Sequence, residues 1–145
     1  MIRIISGICF AISVGMIFYK KSSLYISKGK FLKELVSFVA YVKDSVRYTR
    51  TDVLTIKNIS AKKFQTLNFL TDGINKNCFG YEKEIEAFVN GLGKTDIKGQ
   101  IELCERYYNN FKSLKEKEME QIEKNSKAFG ALGLFSATVF LVIFI

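Results

Sequence analysis

Both ends of this chain are apolar and free of charge. Residues 4–19 (IISGICFAISVGMIFY) and 129–145 (FGALGLFSATVFLVIFI) contain no Asp, Glu, Lys or Arg. As helices rising about 1.5 Å per residue they span roughly 24–26 Å, slightly short of a hydrocarbon core of about 30 Å. Lysine and arginine on the flanks make up such a shortfall by reaching back to the water boundary. Arg3, Lys20, Lys21, Lys124 and Lys127 stand at those flanks. A soluble core helix is rarely apolar on every face over this length. A cleavable signal needs small residues after the apolar run, whereas the first run ends Phe18-Tyr19-Lys20-Lys21. A lipoprotein signal is disfavoured by Ile8 before Cys9. The expectation is a transmembrane helix at 1–20, a cytoplasmic helical domain at 21–127, and a second transmembrane helix at 128–145 that continues the last long helix.

The rest of the chain must then be read as a domain held between two anchors. It has no proline, which suits long uninterrupted helices and argues against a turn-rich β fold. Apolar residues recur at three and four in Phe31, Leu35, Phe38, Val39, Val42 and Val46, predicting a helix that ends near Tyr48-Thr49-Arg50. A second carries Val53, Ile56 and Ile59, a third Phe64, Leu67, Leu70 and Ile74, with a loop at 75–80. Tyr81, Ile85, Phe88, Val89 and Leu92 form a fourth stripe, and Gly91 or Gly93 supplies its left-handed stop. Thr95-Asp96 starts the last helix, with Ile97, Ile101, Cys104, Tyr108 and Phe111 on one face. No breaker other than Gly130 and Gly133 separates it from the C-terminal run. The predicted class is all-α, an antiparallel helical bundle flanked by N- and C-terminal transmembrane helices.

Net charge is +8, and it is lopsided: residues 20–76 hold 12 basic and 4 acidic side chains, residues 77–128 hold 9 and 10. The lysines after the first run place residues 20–128 in the cytoplasm and both termini across the membrane. Lysines beside anionic headgroups contribute about 1 kcal/mol each near the surface, so membrane apposition accounts for the charge and no nucleic-acid partner is expected.

Little in the chain points to catalysis. There is no histidine, which removes Ser-His-Asp and Cys-His sites and His-ligated metals. Cys9, Cys78 and Cys104 lack zinc-ligand spacing. Free thiols are the simpler state, with a Cys78–Cys104 disulfide left open. Gly91-Leu92-Gly93-Lys94-Thr95 ends like a phosphate-binding loop, but Phe88 stands where that pattern needs glycine and a helix precedes it. Glu82-Glu84-Glu86 and Glu116-Glu118-Glu120-Glu123 alternate with lysine as solvated helix faces do. No enzyme activity, cofactor, metal or small-molecule substrate is expected. Small residues in the apolar runs, Gly7, Ala11 and Gly15 on one and Gly133 and Ala137 on the other, recur at four and let helix backbones approach closely.

The segment Leu92-Gly93-x-x-Asp96-x-x-x-Gln100, a charged helix after it, Leu132-Gly133 in the C-terminal run, and Val46-Arg47-Tyr48-Thr49-Arg50-Thr51 together resemble the stage III sporulation protein AB family. The resemblance is densest over 88–145 and covers 1–56 as well; the prolines that often follow the Tyr-x-x-Thr stretch are absent. It implies a fold similar to the F-type platform proteins of type II secretion and type IV pilus systems. It also implies a non-enzymatic scaffold role in a secretion-like channel between mother cell and forespore during endospore formation. The location implied is the mother-cell side of the outer forespore membrane. The partners implied are a cytoplasmic secretion-type ATPase, stage III sporulation protein AA, with other channel-complex membrane proteins and lipid. Arg47, Tyr48, Arg50, Asp96 and Gln100 become candidates for docking or for polar contacts within the bundle, and Asp96 can equally be read as a charge in the first turn of its helix. A competing expectation, from another class, is a membrane-tethered basic protein binding nucleic acid or anionic lipid surfaces through residues 20–76.

Overall fold

The computed structural model describes residues 2–49, 53–64, 66–67, 69–72 and 78–144, apart from the side chains of 2–8, 10–11, 49, 53–54, 57, 71–72, 137, 140–141 and 143–144. Among the described residues there is helix and turn and no strand, so the chain is all-α, as the spacing predicts. Helix α1 runs Ile2–Asp44 and passes into a π-helical segment, Ser45–Thr49. Then come α2 (Val53–Lys63), α3 (Phe69–Asp72), α4 (Glu82–Gly91) and α5 (Ile97–Phe144). Two compact units divide the chain, one of residues 30–117 and one of 1–29 with 118–145.

The unit of residues 30–117 is a helical bundle around an aromatic core. Phe31, Leu35, Phe38, Val39, Val42 and Val46 are all buried, and Leu32 and Val36 widen the stripe. Phe38 meets Phe64, Phe69 and Phe88 edge-on, with ring centroids at 5.9, 6.1 and 6.1 Å. Phe88 in turn meets Phe111 at 6.5 Å and Tyr107 at 5.2 Å. Edge-to-face pairs at such distances add to the burial of the rings themselves. Phe38 and Phe88 therefore tie α1, α3, α4 and α5 into one core.

Three details depart from the periodic reading. Ile59 and Ile97 are exposed, although each falls on a predicted apolar face. A helix from Phe64 is replaced by successive tight turns, with Leu67 N–H donating to Phe64 O and Leu70 N–H to Leu67 O; only Phe69–Asp72 is helical. The Thr66 N–H donates to Glu34 Oε2 at 3.0 Å instead, fastening this stretch to α1. Ile74 lies outside the described residues. Between α4 and α5, Gly93 takes the left-handed conformation, with φ of 79°, so it rather than Gly91 turns the chain. Gly91 is the last residue of α4, and Leu103 stands 3.0 Å from where a Cβ on it would be.

The second unit pairs the start of α1 with the end of α5, antiparallel: as residue numbers climb in one, they fall in the other. Gly133 faces Phe18 and Gly15, Ser22 faces Ser126, Gly29 faces Ile122 and Met119, and Lys28 pairs with Glu118 at 2.6 Å. Ser22 Oγ donates to the Ser126 carbonyl at 3.1 Å. Phe129 stacks on both Phe18 and Tyr25, at 6.3 and 5.7 Å. Gly133 is needed here, since a Cβ would lie 3.0 Å from the Phe18 Cβ. The two charge-free runs are thus helical. Among the described residues, however, no helix is long and apolar enough to cross a membrane. The described side chains of the runs are those of Cys9 and 12–19 in α1, and of 129–136, 138–139 and 142 in α5, less apolar length than a bilayer core requires.

Candidate functional site

The 30–117 unit carries an open cleft of about 830 Å³ lined by Arg47, Asp96, Lys98, Ile101, Glu102 and Glu105, with Ile97 at its edge. It unites two residues singled out from sequence that stand far apart in the chain. Arg47 comes from the π-helical segment, where the backbone widens by one residue per turn; such segments are rare and concentrate at functional sites. Tyr48 follows it and is 76% exposed, so its ring is offered to the surroundings rather than to the core. Asp96 and the acidic residues come from the start of α5.

Local chemistry fixes Asp96. Its Oδ1 accepts the Gly99 N–H at 3.0 Å and its carbonyl accepts the Gln100 N–H at 2.9 Å, the two bonds of a helix N-cap. Asp96 is therefore the cap itself rather than a charge within the first turn. Gly99 leaves room for this, because a Cβ there would lie 2.9 Å from Asp96 Oδ1. Gln100 Nε2 donates to the Thr95 carbonyl at 3.0 Å, holding its side chain against the turn. Asp96 and Gln100 thus have structural work as well as a surface position. Arg47 and Tyr48 are exposed, and Arg50 lies outside the described residues.

The cleft is electrically mixed. Lys43 reaches Glu105 at 3.7 Å and stands 5.7 Å from the Tyr108 ring centre, which ties α1 to α5 at the cleft base. Cys104 is fully buried, and burial pushes its thiol up to about 11, with Lys43 opposing and Glu105 adding to the shift. Cys78 is also buried and its thiol raised, by burial first and by Glu82 second. Both stay protonated at neutral pH and are poor nucleophiles. Cys9, Cys78 and Cys104 form no disulfide. Among the described residues no three His, Cys, Asp or Glu side chains gather as a metal site would need.

The acidic runs are solvated faces. Lys124 bonds Glu120 at 2.7 Å and Lys127 bonds Glu123 at 2.6 Å, one helical turn apart; the Lys127 hydrogen bond holds the Glu123 carboxyl below its ordinary range. The small-residue positions divide. Gly133 packs against Phe18, while Gly15 has nothing within 4 Å of where a Cβ would sit. The side chains of Gly7, Ala11 and Ala137 lie outside the described residues. Sequence reasoning missed Lys98, Glu102 and Glu105, since charged residues on a long polar helix carry no signal until a second element is packed beside them. No family model, curated protein or solved structure matches this chain.

Proposed function

We propose that this protein is a non-enzymatic membrane platform whose paired helix ends insert in a bilayer and whose helical bundle docks a cytoplasmic partner. The support is where exposed apolar area lies. Among the described residues, eleven of the fifteen exposed large apolar side chains belong to the paired ends, among them Met16, Tyr19, Leu134, Phe135 and Val142, each more than 60% exposed. Apolar surface on that scale marks a membrane or protein interface. Lys20, Lys21, Lys124 and Lys127 follow at the inner margin, as snorkelling cations do.

With the resemblance to stage III sporulation protein AB, the role is a scaffold of a secretion-like channel between mother cell and forespore. The location is the outer forespore membrane, with residues 20–128 on the mother-cell side. The partner is a secretion-type ATPase, stage III sporulation protein AA, and the cleft with Arg47, Tyr48 and Asp96 is its docking surface, with Arg50 and Gln100 beside it in sequence.

Two measurements test these halves separately. Alkaline carbonate should leave the full chain in the membrane pellet, and release into the supernatant refutes insertion. Reversing charge at Arg47 and Arg50 should abolish capture of the ATPase while helicity is unchanged; capture at wild-type level removes those residues from the interface.

A further inference from the structure

The paired helix ends enclose a groove of about 210 Å³ between Gly15, Tyr19 and Ser22 on α1 and Phe129, Gly130 and Gly133 on α5. Its glycines do different things. Gly133 is required by contact with Phe18, but a Cβ on Gly15 or Gly130 would meet nothing within 4 Å. Glycine inside a helix is less stable than alanine. These two return nothing in packing within the described chain; what they leave is the open floor of the groove.

The groove changes character along its length. Gly15, Gly130 and Gly133 make one end apolar. Toward the other stands the Tyr19 hydroxyl, beside Ser22, whose own hydroxyl is bonded to Ser126, and the Lys21 ammonium lies 5.4 Å from the centre of the Phe129 ring that forms one wall. Residues 19–30 carry four lysines and no acidic residue. Lys28 is paired with Glu118, whereas Lys20 and Lys21 enter no ion pair among the described residues. An apolar slot leading to a hydroxyl and unneutralised ammonium groups complements one molecule shape: an acyl chain ending in a negatively charged phosphate. A helix from a second copy fits less well. Close helix approach needs small residues on both partners, and the described outward faces of this hairpin present Ile12, Met16, Ile17, Leu132 and Phe135.

We propose that the groove holds a single anionic phospholipid, with an acyl chain over Gly15 and Gly130 and the phosphate bonded by the Tyr19 hydroxyl and Lys21. This rests on membrane insertion of the paired ends and adds a defined site to it. Basic pockets between membrane helices bind anionic headgroups in this manner.

The test is native mass spectrometry of the full chain released from detergent, with phosphatidylglycerol or phosphatidylcholine added at equal concentration. One phosphatidylglycerol per protomer should be retained in preference to phosphatidylcholine. Gly130→Leu and Gly15→Leu fill open space, so both should keep wild-type helicity and lose the retained lipid. Lys21→Gln should cut the preference for phosphatidylglycerol about fivefold. Equal retention of the two lipids, retention undiminished in Gly130→Leu, or a lipid-free dimer that Gly130→Leu dissociates would each overturn the proposal. Carbonate extraction separates the causes: a chain that stays in the pellet yet retains no phosphatidylglycerol refutes the groove alone, and a chain that is stripped refutes insertion.

Discussion

Asp96 allows structural and docking roles to be pulled apart. Its carboxylate supplies both a hydrogen bond to the Gly99 N–H and a negative charge at the N-terminal end of α5. Loss of an N-cap side chain costs about 1 kcal/mol, and a charge at that end of a helix contributes roughly 0.3–1 kcal/mol. Asp96→Ala removes both and should destabilise the bundle by about 1–2 kcal/mol. Asp96→Asn keeps a capping oxygen and removes only the charge, so its cost should stay below about 1 kcal/mol. Gly99→Ala probes the same geometry from the other side. Elsewhere in a helix that change gains about 1 kcal/mol, but here the new Cβ would lie 2.9 Å from Oδ1, expel the cap and leave a net effect near zero. The assay is thermal unfolding of the full chain in mild detergent by circular dichroism, with hydrogen exchange at the Gly99 and Gln100 amides as the local readout. If Asp96→Asn is as damaging as Asp96→Ala, the charge and not the hydrogen bond stabilises α5. If Asp96→Ala is neutral with unchanged exchange, the cap contributes nothing. ATPase capture then assigns the second role: Asp96→Asn should weaken it while the melting curve holds, and undiminished capture restricts Asp96 to capping.

Phe88→Ala removes a fully buried ring that meets three other aromatic rings and should cost about 3–5 kcal/mol, most of the stability of a domain this size; an unchanged melting temperature would contradict its central place. Ser60 is fully buried with an Oγ that has no hydrogen-bond partner, so Ser60→Ala should raise stability by about 1 kcal/mol, and a lower melting temperature would reveal a bond formed by that hydroxyl. The Cys104 thiol, ordinarily near 9.0, stands at about 11 when folded. The unfolded chain therefore releases this proton first, so this group's contribution to stability is constant below pH 9 and falls at about 1.4 kcal/mol per pH unit as pH rises toward 11. Alkaline melts should show that slope in the wild type and less of it in Cys104→Ala; identical slopes would refute it.

The aromatic core was legible because burial in a helix repeats at three and four, and Phe31 through Val46 obey that repeat without interruption. Ile59 and Ile97 obey it too and are exposed, since periodicity marks a face without saying whether a neighbour covers it. Phe64 to Leu70 misled for another reason. Successive three-residue turns place apolar residues at the same spacing as a helix, and what distinguishes them, the bonds Leu67 N–H to Phe64 O and Leu70 N–H to Leu67 O and the Thr66–Glu34 bond, leaves no mark on that spacing. The cleft was half legible. Arg47, Tyr48 and Asp96 were named, but nothing in a linear pattern joins the end of α1 to the start of α5 or announces a π-helical turn. Small-residue spacing likewise marked Gly15 and Gly133 alike, although one is packed and one open, and it passed over Gly130.

The antiparallel pairing of the first and last helices has a topological consequence. On the insertion proposed above, the paired ends would cross the bilayer in opposite directions, which would put Ile2 and Phe144 in one compartment. Tags on either end are then redundant reporters of orientation. Inversion would then admit no halfway state, since it would carry the whole of Lys30–Lys117, with every charge on it, across the membrane. On that proposal the choice between the two orientations would be made once, while the lysines behind the first helix are still at the membrane surface.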